Sequence, residues 1–261
     1  MRRLLAVLAL SVAAMSSAHA AMQARAVEWK VGKDTFSGYL VYDDTNAIKR
    51  PGVVMVPDWM GVTDAAVAKA KHIAGDDYVV LLVDMYGKDV RPKSDDEARA
   101  QTKKLYDDRA ALRARINGAL AQLKNAKDVP LDNAKIGAIG YCFGGATVLE
   151  LARSGADIDA VATFHGGLAT TMPAKPGTVK ASILVLNGAD DQGTKGDIPA
   201  FENEMNAAKV DWQFVNFSGA VHCFALPEAN KPPGCLYNAL AARRSERMMR
   251  VFFTERFAMP E

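Results

Sequence analysis

The chain has 261 residues, 49% of them hydrophobic, with 32 basic and 30 acidic side chains and a formal net charge of +2. That composition excludes a disordered or fibrous chain, and it offers no basic surplus for gripping nucleic acid or another polyanion. The length is enough to bury one large α/β core, and no linker, repeat or low-complexity tract marks a second domain.

Arg2 and Arg3 precede an apolar run from Leu4 to Met15, followed by Ser16-Ser17-Ala18-His19-Ala20. This is the pattern of a signal peptide with an Ala-x-Ala site. It predicts cleavage after Ala20, an exported (periplasmic or secreted) product, and a single domain over residues 21–261. The run is shorter than the roughly 20 residues of a membrane span, so no membrane partner is expected after cleavage.

Ala26–Val31 and Thr35–Tyr42 alternate polar and apolar residues around Gly32-Lys33-Asp34, which predicts an N-terminal β-hairpin at a sheet edge. Gly52–Val56 is a continuous apolar run, as in a strand buried on both faces of a parallel sheet, and leads into Pro57-Asp58-Trp59-Met60-Gly61. Helical spacing over Val62–Ala74 and a second apolar run, Tyr78–Val83, complete a right-handed βαβ unit. The fold class is therefore α/β, a mostly parallel, doubly wound sheet with helices on both faces. Ligands of such sheets collect beyond the carboxyl ends of the strands, where Asp58, Trp59, Asp84, Tyr86 and Lys88 fall. Ser94–Asn125 reads as one long or two consecutive surface helices with a break near Asp107-Asp108, its charges forming a solvated face. Further strands are expected at Ala160–Phe164, Ser182–Leu186 and Asp211–Phe217, with helices at Ile198–Ala208 and Tyr237–Phe257.

Between these lies Lys135–Leu151, a short apolar strand, a sharp turn and a helix beginning near Phe143. The turn reads Gly140-Tyr141-Cys142-Phe143-Gly144, the G-x-S-x-G nucleophile-elbow pattern with sulfur in place of oxygen. At a helix N-terminus, free N–H groups and the positive dipole end favour a thiolate. The plainer reading of the pentapeptide is a small buried cysteine in a Gly-rich turn.

A cysteine nucleophile needs a base, and the base needs a group to fix its tautomer. Asp190 or Asp191 and then His222 follow Cys142, each in a loop directly after an expected strand, in the chain order nucleophile, acid, histidine. His72 sits within a helix, where a surface role is the simpler reading. His165 ends the strand after the elbow and can line the pocket, but it precedes both aspartates. No Cys/His pair has metal-ligand spacing, and no cofactor is implied.

The elbow Gly140–Gly145, the strand and loop Leu186–Asp191, and Gly219-Ala220-Val221-His222 followed by Phe224 together resemble the dienelactone hydrolase family, cysteine hydrolases of α/β-hydrolase fold. The resemblance implies Asp191 rather than Asp190 as the acid. It also implies a carboxylate near the nucleophile that modulates the thiol, here Asp58 in place of a glutamate, and oxyanion donors at the backbone N–H groups of Trp59 and Phe143. Tyr86, Lys88, His165 and Phe224 are expected to line the substrate pocket. Where members acting on dienelactone hold its carboxylate with arginines, this sequence has Lys88 and Leu226, which predicts a neutral, more apolar substrate unless Arg91 takes over.

With Cys142 as nucleophile, export leaves Cys223 and Cys235 as an expected disulfide. The sequence thus reads as an exported hydrolase of a small ester or lactone, using a Cys142-His222-Asp191 triad and an acyl-enzyme. Its rivals are a thioesterase or acyltransferase with the same triad, and a binding protein that keeps the fold. Oligomeric state is not written in the chain.

Overall fold

The structure, a computed structural model, describes residues 22–258. The expected signal peptide, 1–20, lies outside the described residues.

Strands β1 (Met22–Val31) and β2 (Asp34–Asp43) form a hairpin, in register from Met22 opposite Asp43 to Val31 opposite Asp34. Its turn uses Gly32 at φ 58°, a conformation that costs glycine little. β2 pairs antiparallel with β4 (Val79–Leu82). From there the sheet is parallel, through β3 (Arg50–Val56), β5 (Leu131–Tyr141), β6 (Ala160–Phe164), β7 (Ser182–Gly188) and β8 (Trp212–Phe217). The order is β1-β2-β4-β3-β5-β6-β7-β8, with the hairpin at one edge. The sheet and its helices form an α/β-hydrolase fold.

Helices α1 (Asp64–Ala74) and α6 (Ala239–Ala258) cover one face, burying Ala70, Ile73, Met249 and Phe253. The other face is covered by α2 (Asp95–Asp107), α3 (Arg109–Lys124), α4 (Phe143–Arg153) and α5 (Ile198–Ala207). The charged 94–125 stretch is two helices because Asp108 does two jobs. It ends α2, and its carboxylate accepts the Ala111 N–H at 2.9 Å to cap α3.

Every residue of α4 is buried, including Glu150 and Arg153. Those charges are tolerated because they are paired: Glu150 bonds Arg113 and Arg153, and Arg153 also bonds Glu204 at 2.8 Å. A two-stranded ribbon, β9 (Asn230–Lys231) with β10 (Cys235–Leu236), follows the last sheet strand. Two-residue strands carry no periodicity, so the sequence shows this segment only as a Pro-rich loop.

Candidate active site

Cys142 stands where β5 passes into α4, with φ 54° and ψ −115°, a strained conformation for a non-glycine residue. The flanking glycines make the turn possible. A Cβ on Gly140 would lie 2.1 Å from the Gly144 carbonyl oxygen, and one on Gly144 would lie 2.1 Å from the Val56 carbonyl oxygen. The first turn of α4 is thereby pressed against the ends of β5 and β3, leaving the cysteine half-buried and free of any disulfide.

His222 Nε2 lies 3.0 Å from Cys142 Sγ, and His222 Nδ1 lies 2.7 Å from Asp191 Oδ2. The other oxygen of Asp191 accepts the Gly193 N–H at 2.8 Å, and the carboxylate is only 3% exposed. Asp190 is exposed; its backbone N–H donates to the Ala220 carbonyl at 2.9 Å, tying the acid loop to the histidine loop. Of the two aspartates, then, Asp191 meets the histidine. Burial alone would lower the His222 pKa, but its bonds to Asp191 and Cys142 outweigh that and raise it to about 10.

Behind the pair, the Cys142 N–H donates to the Phe164 carbonyl at 3.0 Å and to His165 Nδ1 at 3.2 Å. Burial, reinforced by the nearby His222, pushes the His165 pKa well below 6.5. Its ring is therefore neutral and accepts at Nδ1, edge-on to both His222 and Phe224 at 5.2 Å. Cys223 and Cys235 form a disulfide, and the Leu236 N–H donates to the His222 carbonyl at 3.1 Å, so β10 holds the histidine loop.

The opposite wall is aromatic. Phe143 stacks on Tyr86 at 5.6 Å and takes Tyr106 edge-on at the same distance, while the Tyr86 hydroxyl donates to the Trp59 carbonyl at 2.8 Å. Burial raises both tyrosine pKa values, so neither hydroxyl ionises near neutral pH. Tyr106 was not legible as a site residue. It belongs to the last turn of α2, whose many charges read as a solvated face; a lone aromatic among them was the available signal. Arg99 and Lys231 both approach the Trp59 ring, 5.6 and 5.8 Å from its centre, and Lys231 is paired with Asp95. Among the described residues, the N–H groups of Trp59 and Phe143 donate to no protein acceptor.

Three expectations need correction. Lys88 is not a pocket cation: it is surface-exposed, with its ammonium 3.0 Å from Glu28 on the hairpin. Arg91 is not a substitute, because its guanidinium is spent on Asp84 and on the carbonyls of Gly87, Val90 and Ser37. Asp84 is a buttress, accepting the N–H groups of Tyr86, Gly87 and Ser37. As for Asp58, its carboxylate accepts the Met60 N–H at 2.8 Å, and no hydrogen bond joins it to Cys142 among the described residues. Burial, with Glu228 adding to it, raises the Asp58 pKa. No cluster of three or more His, Cys, Asp or Glu side chains among the described residues could hold a metal ion.

A model of the dienelactone hydrolase family matches residues 36–257. The chain belongs to the dienelactone hydrolase family. A solved structure described as a dienelactone hydrolase-like promiscuous phosphotriesterase from metagenomic libraries is 37% identical, with a TM-score of 0.84, covering 91% of this chain and 100% of that one. An uncharacterised Caenorhabditis elegans protein is 37% identical over 158 residues, 58% of this chain and 98% of its own length. Carboxymethylenebutenolidase of Pseudomonas putida is 24% identical over 144 residues, 54% of this chain and 61% of that enzyme. As a member of this family, the protein is an ester or lactone hydrolase.

Proposed function

We propose that this dienelactone hydrolase family member is an exported enzyme that cleaves a small, neutral, largely apolar ester or lactone through an acyl-enzyme on Cys142. The observation that carries the reading is the continuous contact from sulfur to Nε2 at 3.0 Å and from Nδ1 to carboxylate at 2.7 Å. His222 accepts the Cys142 proton, and the thiolate attacks the substrate carbonyl carbon. The resulting oxyanion sits against the Trp59 and Phe143 N–H groups, where each fixed donor is worth about 3 kcal/mol at the transition state. The imidazolium then protonates the departing alkoxide. His222 next takes a proton from water, whose oxygen attacks the thioester; the C–S bond breaks to release the acid, and the imidazolium returns its proton to the Cys142 sulfur. Asp191 holds the ring so that Nε2 faces sulfur, and His165 fixes the elbow through the Cys142 N–H. Asp58 acts through the turn it ties at Met60, ahead of any contact with sulfur.

Neutral substrates are favoured because the cations expected to grip a carboxylate are engaged elsewhere. The metagenomic relative's phosphotriester activity concerns another uncharged ester class. The test is turnover of p-nitrophenyl acetate, which Cys142→Ala should abolish; the absence of both burst and turnover in the intact protein would favour a binding protein. Comparing kcat/KM for a dienelactone with its uncharged methyl ester tests the substrate class, and thioester and alcohol-acceptor assays separate the thioesterase and acyltransferase readings. N-terminal sequencing of the mature protein from the periplasm should begin at Ala21.

A further inference from the structure

A cavity of about 790 Å³ is lined by neither Cys142 nor His222. It lies on the α1/α6 face of the sheet, between those helices, and its volume falls in the roughly 300–1,000 Å³ typical of small-molecule sites. Leu226, Pro227 and Val251 give it an apolar lining. Three cations on its wall make no direct ion pair among the described residues. Lys69, from α1, is half-buried: its ammonium donates to the Ala225 carbonyl at 2.8 Å and sits 4.6 Å over the Tyr141 ring, both part of the same wall. A lysine has three donors, and no carboxylate lies within 4.0 Å of this one among the described residues. Arg243 and Arg247, four residues apart on α6, are exposed at the rim and make no ion pair or hydrogen bond among the described residues.

The lining acids make no direct contact with these cations. Glu246 is taken by His72 and Arg250, and Arg250 also pairs with Asp77. Glu228 is exposed, and it, Glu246 and Asp58 act on Lys69 only through space, without a direct ion pair. A half-buried ammonium with no carboxylate in direct contact can still form a charge-assisted bond with an anion entering the cavity. We propose that this cavity is a second binding site, separate from the catalytic cleft, for an apolar monocarboxylate whose carboxylate pairs with Lys69 while its hydrocarbon body lies on Leu226, Pro227 and Val251. Its walls touch both halves of the catalytic centre. Asp58 precedes Trp59, Tyr141 precedes Cys142, and Ala225 follows His222 by three residues, so the ligand would contact all three active-site loops from behind.

Isothermal titration of full-length Cys142→Ala protein with decanoate, and with decanamide as its uncharged isostere, tests the site. Expected are saturable one-to-one binding of decanoate and a Kd about tenfold or more higher for decanamide, as loss of a charge-assisted bond predicts. Lys69→Met should weaken decanoate by a similar factor. Because Lys69→Met removes a half-buried group, Ala68→Trp gives an independent check: Ala68 is exposed at the cavity mouth, and the indole should block entry and abolish binding. Otherwise wild-type protein with Cys142 carboxamidomethylated should bind decanoate as tightly as the Cys142→Ala protein. No binding, equal affinity for acid and amide, or unchanged binding in Ala68→Trp would each overturn the proposal. Loss of binding on alkylation would also overturn it, by placing the ligand in the catalytic cleft.

Discussion

Asp191→Asn is the sharpest perturbation of the catalytic centre, because the two oxygens of this buried carboxylate have different partners. Oδ1 accepts the Gly193 N–H at 2.8 Å and Oδ2 faces His222 Nδ1 at 2.7 Å. Asparagine can satisfy only one of these. If its oxygen keeps Gly193, the amide NH2 faces His222 and forces Nδ1 to accept, so the ring carries its proton on Nε2 and cannot take one from sulfur. If the amide flips, two donors meet at Gly193 in a site that excludes water. Either outcome forfeits a charge-assisted hydrogen bond worth about 1.5–3 kcal/mol, a loss of roughly 10- to 150-fold, and the tautomer error adds to it. The assay is kcat/KM for p-nitrophenyl acetate, with Asp190→Asn as the matched control, since that side chain is exposed. Activity of Asp191→Asn within about twofold of wild type, or equal loss in the two variants, would refute the assignment of the acid.

His222 carries a folded-state pKa raised from 6.5 to about 10, so its charged form stabilises the fold fully below 6.5 and that contribution is lost as pH climbs through about 10. Thermal melts should therefore show wild type losing more stability across that window than His222→Gln, and at neutral pH the variant should alkylate Cys142 far more slowly. Gly144→Ala places a methyl against the backbone at Val56 and Pro57, which cannot yield cheaply; a loss of about 1–3 kcal/mol, or roughly 3–10 °C in Tm, is expected by calorimetry. Removing the disulfide with Cys223→Ala and Cys235→Ala together should cost about 3 kcal/mol in the chain-entropy model, and lower kcat as the His222 loop loosens, measured by denaturant melts and steady-state kinetics. Glu150→Gln should destabilise by about 3 kcal/mol because it strips the largely buried Arg113 of its carboxylate and leaves Arg153 with Glu204 alone, whereas Asp107→Asn on the surface should be tolerated.

Local rules carried most of the fold. Continuous apolar runs marked β3, β4, β6 and β7 because a strand buried on both faces has no polar side to alternate. The elbow was legible because only glycine survives 2.1 Å from a carbonyl, a demand that leaves its mark in the sequence. Chain order placed an acid and a histidine at strand ends, but the choice between Asp190 and Asp191 needed the family resemblance. Adjacent loop residues differ only in which way the turn aims them.

What sequence by itself determined was the sheet, the order of its elements and the location of the chemistry at the strand ends, since these follow from periodicity and from steric limits on single residues. Only the tertiary structure decided which charges meet. Lys88 goes to Glu28 on the hairpin, and Arg91 closes on Asp84. Tyr106 turns from a charged helix onto Phe143, and Lys69 reaches across to the Ala225 carbonyl. Such pairings join residues far apart in the chain, and long flexible side chains can satisfy their charge in many places; packing of the helices on the sheet selects one.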